Sequence, residues 1–413
     1  MSKFSDFSQT AGFAAALYTQ RASTRYLAHV RREPMAMLMT RKGREDPYAI
    51  YRRMRDRGTL ALTPRGNWST TSHRVCDAVL RDRRFGVVQD EQLDMSFLGM
   101  NAPDHTRLRR LAQPAFSPKT LPAFRARIES TVGELLDRAS ASAGGRFDVV
   151  SGFAAPLPIS VITELLGIPD ADSREFAEHG AVIGGALDGI QSLRQAARFA
   201  ASDAKLHTLF ENLFALRRRE PADDLISRLI AAEGDQVKPS ELEPMVFLLL
   251  IAGFETTVNV IGNGILALLN NPDQWEALRA DPERLAPKAV EEALRYDPPV
   301  QATSRIALED VELEGHHIKQ GQWVVTLLGA AGRDPEVYDH PEHFDIDRKD
   351  PADHLAFSSG AHYCVGQPLA RMELTIAMQL LAERMPQLKL AGPVRRKSGS
   401  TIRGLRQLPV SAG

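Results

Sequence analysis

Residues 245–254 read MVFLLLIAGF, a run that is apolar on every side of any helix it forms. Ser240 and Glu243 after Pro239 give a capping-box start, and Pro272 marks the far end, so the pattern predicts one helix over about 240–270. About 30 residues at 1.5 Å each make a rod of roughly 45 Å, long enough to cross a whole domain. A rod apolar all round needs cover on both faces. The run itself is too short for a membrane span and stops at Glu255. A chain of 413 residues has enough material to wrap such a helix without disulfides or structural metals. Glu255, Thr256 and Thr257 then interrupt a helix that should lie deep inside.

The remaining periodicity is mostly helical, at 47–58, 73–82, 160–168, 223–234 and 274–282. Strand-like segments are short: 58–64, 310–318, 322–328 and the carboxy-terminal LRQLPVSA. The fold class is therefore mainly α with small β-sheets. A net charge of -1 gives the whole chain no field suited to nucleic acid. Two cysteines far apart, Cys76 and Cys364, exclude a disulfide scaffold and a zinc ribbon. Cys76 sits among Val75, Val79 and Leu80 on a helix, as a small core residue does. Residues 1–45 form a basic extension: Arg21, Arg25, Arg31, Arg32, Arg41, Lys42 and Arg44 face Glu33 alone across 21–44. Such a run fits an ordinary solvated helix, the commoner case, or weak association with a membrane surface.

Cys364 lies in FSSGAHYCVG, residues 357–366. Gly360 and Gly366 allow tight or left-handed backbone, and a helix follows immediately. A helix amino terminus favours a thiolate, so the residue reads as a nucleophile, a metal ligand or a buried structural cysteine.

The ten residues resemble the haem-binding signature of the cytochrome P450 family, F-x-x-G-x-x-x-C-x-G, with Phe357, Gly360, Cys364 and Gly366 in register. AGFETT at 252–257 resembles the oxygen-activation motif of that family. EALR at 292–295 matches its E-x-x-R motif, HFDIDR at 343–348 resembles its meander, and DHTRLRR at 104–110 resembles the helix that reaches a haem propionate. The blocks fall in family order from about residue 46 onward, which implies one cytochrome P450 domain over 46–413: a triangular prism with a long central helix over haem.

The resemblance implies haem b as cofactor, its iron held by the Cys364 thiolate, with Phe357 shielding the sulfur and Gly366 admitting its backbone. His105, Arg109, Arg305 and His362 would hold the propionates, and two residues four apart on a helix, as His105 and Arg109 are, can face one anion. Glu292, Arg295 and Arg348 would form a buried ion cluster. Ala252 would face the haem, Gly253 would leave room for dioxygen, and Glu255 and Thr256 would deliver protons. The implied activity is monooxygenation, insertion of one oxygen atom of O2 into an apolar substrate by hydroxylation or epoxidation. Electrons would come from NAD(P)H through ferredoxin and ferredoxin reductase, the partner docking near Arg110 and Arg371 in the cytoplasm. A peroxide-driven peroxygenase and a non-catalytic haem-based sensor are the alternatives. The pocket is expected to use the loop 85–98, the segment near 180–193, and Phe85, Phe97, Leu98, Leu248, Val300, Gln301 and Ile402, with Gln301 as a polar handle. Ser358 departs from the pattern, since the family often has glycine directly after the loop phenylalanine.

Overall fold

The computed structural model describes residues 17–88, 94–117, 119–185, 189–190, 192–349 and 353–413. The elements used below are α1 (His73–Arg81), α2 (Asp104–Ala112), α3 (Pro122–Ser140), α4 (Pro156–Leu166), α5 (Asp170–Gly184), α6 (Leu193–Arg219), α7 (Pro239–Asn270), α8 (Pro282–Tyr296) and α9 (Gln367–Arg384). The main sheet contains β1 (Ala61–Leu62), β2 (Trp68–Thr70), β3 (Phe85–Gly86), β4 (Thr303–Ala307) and β5 (Trp323–Thr326) in the order β1-β2-β5-β4-β3. Only the β2–β5 pairing is parallel. Near the carboxy terminus β6 (Arg395–Arg396) and β7 (Leu405–Gln407) pair as an antiparallel hairpin.

The central helix is α7, 32 residues long and buried from Met245 through Ile251 and again from Val258 through Leu268. By length and composition it could cross a membrane, yet its apolar window is packed inside the protein. Its sheath comprises α4, α5, α8 and α9, which all contact it directly. The start differs from the predicted one. Pro239 takes the first helical position, so Lys238 becomes the cap and its amide donates to the Glu241 carboxylate at 2.9 Å. Arg107 of α2 fixes the same carboxylate at 2.7 Å, while Glu243 turns outward to His207 at 2.8 Å. The expected Ser240–Glu243 box does not form.

The segment after the sheet is tied to α8. Arg295 donates from Nε and Nη2 to both oxygens of Glu292, each at 2.7 Å, and both side chains are nearly inaccessible. Its Nη1 donates to the carbonyls of Gly332 and Pro341 at 2.8 and 2.9 Å. Arg348 brings Nε to 3.5 Å from Glu292, and the Asp345 amide donates to the same carboxylate at 2.8 Å. The cluster expected of Glu292, Arg295 and Arg348 therefore forms, and it ties the meander to α8 beside the cysteine loop. A second knot has no counterpart in the sequence reading. Asp297 accepts from Tyr48 Oη and Arg403 Nε, both at 2.6 Å, joining the amino-terminal region to the last hairpin. The guanidinium of Arg403, with that of Arg396, holds the Asp297 carboxyl below its ordinary range against the cost of burial.

Glu292→Ala leaves two buried guanidinium groups without their carboxylate. Its predicted cost is about 3–5 kcal/mol of unfolding free energy, read from the denaturant midpoint at unchanged slope.

Candidate functional site

The expected site residues lie on elements far apart in sequence. One is the middle of α7, where Ala252 is exposed and Gly253 and Thr256 are half-buried although residues before and after them are buried. Thr256 Oγ1 donates to the Ala252 carbonyl at 3.1 Å, and Thr257 Oγ1 reaches the Gly253 carbonyl at 3.5 Å. Hydroxyls on carbonyls one turn back loosen a helix locally. Gly253 does not face the cleft as expected. A Cβ there would lie 2.6 Å from two atoms of Ile162, so close packing of α4 on α7 requires this glycine.

The cysteine loop lies at the head of α9. The Cys364 amide donates to the Phe357 carbonyl at 2.9 Å, closing the loop on itself. Burial pushes the Cys364 thiol up, while the Gly366 and Gln367 amides and the Arg109 and Arg371 guanidinium groups act in the opposite sense. Gly360 has φ +67°, and a Cβ on it would lie 2.3 Å from the Leu80 carbonyl, so no other residue fits against α1. Gly366 has φ -86°, and a Cβ there would only touch Phe116 at 3.7 Å. Left-handed backbone, read for both glycines, is needed only at Gly360.

Around this loop four cationic or protonatable side chains converge. The imidazoles of His105 on α2 and His362 in the loop lie with centroids 4.3 Å apart. Arg109 Nη2 donates to the Tyr363 carbonyl, and buried Arg305 on β4 donates to the Ser304 carbonyl at 2.9 Å. Burial, then the charges of Arg305, His105 and Arg109, drives His362 down to about 3. Burial lowers Arg305 to about 10 and, with Arg109 and Arg305, lowers His105. Among the described residues no carboxylate faces these four groups, and His105 Nε2 is buried without a partner. With both imidazoles held toward the neutral form, the set offers hydrogen-bond donors and two guanidinium charges that suit an anionic guest. No group of three or more His, Cys, Asp or Glu among the described residues could hold a bare metal ion. One sulfur beside four donors instead fits a guest that carries its own metal together with negative groups.

The other expected positions divide. Phe97 packs beside His105 at 6.2 Å between centroids, and Leu98 is exposed next to it. Leu248 is buried in the main core. Val300 and Ile402 form an isolated antiparallel bridge. Phe85 instead packs in the core of the sheet with Trp68, Val75 and Val324. Gln301 is no polar handle: Oε1 accepts from Tyr51 Oη at 3.1 Å and Nε2 donates to the Pro298 carbonyl at 2.7 Å, so its whole amide is engaged. Arg371, expected on an exposed basic patch, is clamped by Glu291 at 2.6 and 3.0 Å and lies over the Phe357 ring at 4.6 Å. Arg110 is exposed. Within the two expected pocket segments, residues 89–93, 186–188 and 191 lie outside the described residues. One participant had no sequence signal. Lys397 places Nζ 2.6 Å from Glu255 Oε1, 142 positions away.

The family model for cytochrome P450 matches residues 194–385. Cytochrome P450 107B1 of Saccharopolyspora erythraea is 41% identical over 408 residues, 96% of each chain. A putative cytochrome P450 140 of Mycobacterium tuberculosis is 39% identical over 394 residues, 89% of each. Among solved structures, P450BioI in complex with a hexadec-9Z-enoic acid ligated acyl carrier protein superposes with a TM-score of 0.84. It is 36% identical and the match covers 90% of this chain and 99% of that one. CYP109E1 from Bacillus megaterium in complex with testosterone superposes at 0.83 with 32% identity, over 91% and 100%.

Ser358, where glycine is common in related loops, holds φ +62° with its hydroxyl buried and unpartnered. A left-handed non-glycine residue costs about 1–2 kcal/mol. Ser358→Gly is predicted to raise stability by about 1 kcal/mol, seen as a higher thermal midpoint, with the absorption spectrum of the loaded protein unchanged.

Proposed function

The chain belongs to the cytochrome P450 family, monooxygenases that hold haem b on a cysteine thiolate, and from that premise we propose that Cys364 is the axial ligand and the surrounding cations its anchors. Cys76 is no competitor, being wholly buried beneath the sheet with its thiol pushed up by burial. The observation that carries the assignment is the group of two imidazoles and two guanidinium groups that no carboxylate faces among the described residues, gathered beside Cys364. Haem supplies both missing components, an iron for the thiolate and two propionates for the cations. When bound, haem supplies the reduction and cleavage of dioxygen, for which thiolate donation is the electronic requirement.

The protein's own part is placement and proton supply. Phe357, half-buried and covered by the Arg371 guanidinium, shields the sulfur side of the loop, and Ala252 leaves the facing turn of α7 small. Thr256 presents a hydroxyl on that turn, and the preceding Glu255 is buried on the flank. We assign Glu255 the transfer of protons from solvent and Thr256 their final delivery into the cleft. The reaction is insertion of one oxygen atom of O2 into an apolar substrate, by hydroxylation or epoxidation. Largely apolar Phe97, Leu98, Val300 and Ile402, together with relatives solved with a fatty-acyl chain and a steroid, support an aliphatic or polycyclic substrate. Electrons are assigned to NAD(P)H through ferredoxin and its reductase, docking on the side of exposed Arg110, and the location to the cytoplasm. Arg371 is dropped from that patch because Glu291 neutralises it.

The test is turnover of the haem-loaded chain with a surrogate ferredoxin pair against turnover with peroxide alone. Dioxygen with electrons should support product formation, and peroxide alone should not match it. In Glu255→Gln and Thr256→Ala, electron uptake should continue while product per electron falls about 10²-fold and peroxide accumulates. Equal turnover with peroxide alone would favour the peroxygenase, and no turnover in either would favour a sensor.

A further inference from the structure

Glu255 does not lie free in the helix. The residue is 6% exposed, and its Oε1 sits 2.6 Å from Lys397 Nζ and 3.4 Å from Asn259 Nδ2. At the end of α5, a Cβ on Gly184 would lie 3.4 Å from Glu255 Cγ. Three elements therefore enclose the acid: α7 itself, the end of α5 and the hairpin β6–β7. Among the described residues no hydrogen bond joins Glu255 to Thr256, whose hydroxyl is committed to Ala252.

Lys397 follows β6 directly, and its hairpin is seated firmly along α7. The Lys397 amide donates to the Gly404 carbonyl at 3.0 Å. Asn259 lies so close to Gly404 that a Cβ there would be 1.9 Å from its Oδ1. Asn263 Nδ2 donates to the Arg403 carbonyl at 3.2 Å. The same turn reaches the segment that follows α8. The Gln301 amide donates to the Thr401 carbonyl at 2.8 Å, the Arg403 amide to Pro299 at 2.6 Å, and Ile402 bridges Val300. One short segment thus touches both the stretch 299–301, to which the substrate site is assigned, and the ammonium that holds the acid.

A buried carboxylate needs a partner, but the Lys397 side chain keeps 30% of its exposure, so the pair is part-solvated and weak enough to exchange. Resting on the assignment of Glu255 to proton transfer, we propose that Lys397 is a positioning residue. It holds the Glu255 carboxylate against the hairpin turn, and the seating of that turn on Val300 and Gln301 governs release of the carboxylate toward Thr256. In each cycle the Glu255 carboxylate takes a proton from solvent at the Lys397 side and then gives that proton up toward Thr256, so the carboxylate is restored. The hairpin would thereby couple what fills the cleft below Ile402 to proton supply above it.

Three variants of the haem-loaded full chain test this: Glu255→Gln, Lys397→Met and Lys397→Arg. Two measurements are made, hydrogen exchange of amides 395–407 and product formed per electron with a substrate found by Soret titration. Lys397→Met should exchange several-fold faster in the hairpin and lose roughly tenfold in product per electron, with Lys397→Arg restoring both. Glu255→Gln should loosen the same amides and uncouple more severely. Wild-type coupling in Lys397→Met overturns the proposal and, if exchange alone has risen, leaves Lys397 a simple clasp. Unchanged hairpin exchange in Lys397→Met overturns it as well. Wild-type coupling in Glu255→Gln overturns the proton-transfer assignment itself, and the positioning role falls with it.

Discussion

A helix that is apolar on every side has no stable place in water, and the rest of this fold is a response to that constraint. Each leucine-sized side chain removed from solvent contributes about 1.5–3 kcal/mol, so α7 is worth far more buried than exposed. Helices α4, α5, α8 and α9 supply the cover. Close approach then decides residues that read as functional. Gly253 is fixed by Ile162, and a Cβ on Gly264 would lie 2.7 Å from Met378 of α9. Between Met245 and Leu268 only the turn from Ala252 to Thr256 is left partly open.

That opening is where charge gathers. Buried charge is costly unless paired, and the guanidinium groups of Arg109 and Arg305 meet the imidazoles of His105 and His362 with no carboxylate facing them among the described residues, an arrangement that suits an anionic guest. Two other buried clusters are paired, Glu292 with Arg295 and Asp297 with Arg403. The contrast separates the two kinds of site. Ion clusters hold the frame, and the group without a carboxylate is the one we assign to the cofactor.

How much of this was legible in the sequence depended on the reach of the interaction. The central helix, the cysteine loop, the i, i+3 pair of Glu292 and Arg295 and the i, i+4 pair of His105 and Arg109 are local, and local spacing predicts them. The first turn of α7 was misplaced because Pro239 could start the helix as well as precede it. Gln301 and Arg371 have the right polarity for a pocket handle and a docking patch, but Tyr51 and Glu291 engage them from distant segments. Phe85 suits either a pocket or a sheet core, and only the β3–β4 pairing decides between them. Lys397 had no signal at all, because its meaning depends on a hairpin laid across α7.

The central claim is that Cys364 ligates iron between the cysteine loop and the open turn of α7. Iron K-edge X-ray absorption of the haem-loaded chain and of Cys364→Ser measures it directly. The account predicts one sulfur neighbour on iron in the wild type and none in the variant. A first shell of nitrogen and oxygen alone in the wild type, or a sulfur that survives in Cys364→Ser, would contradict it.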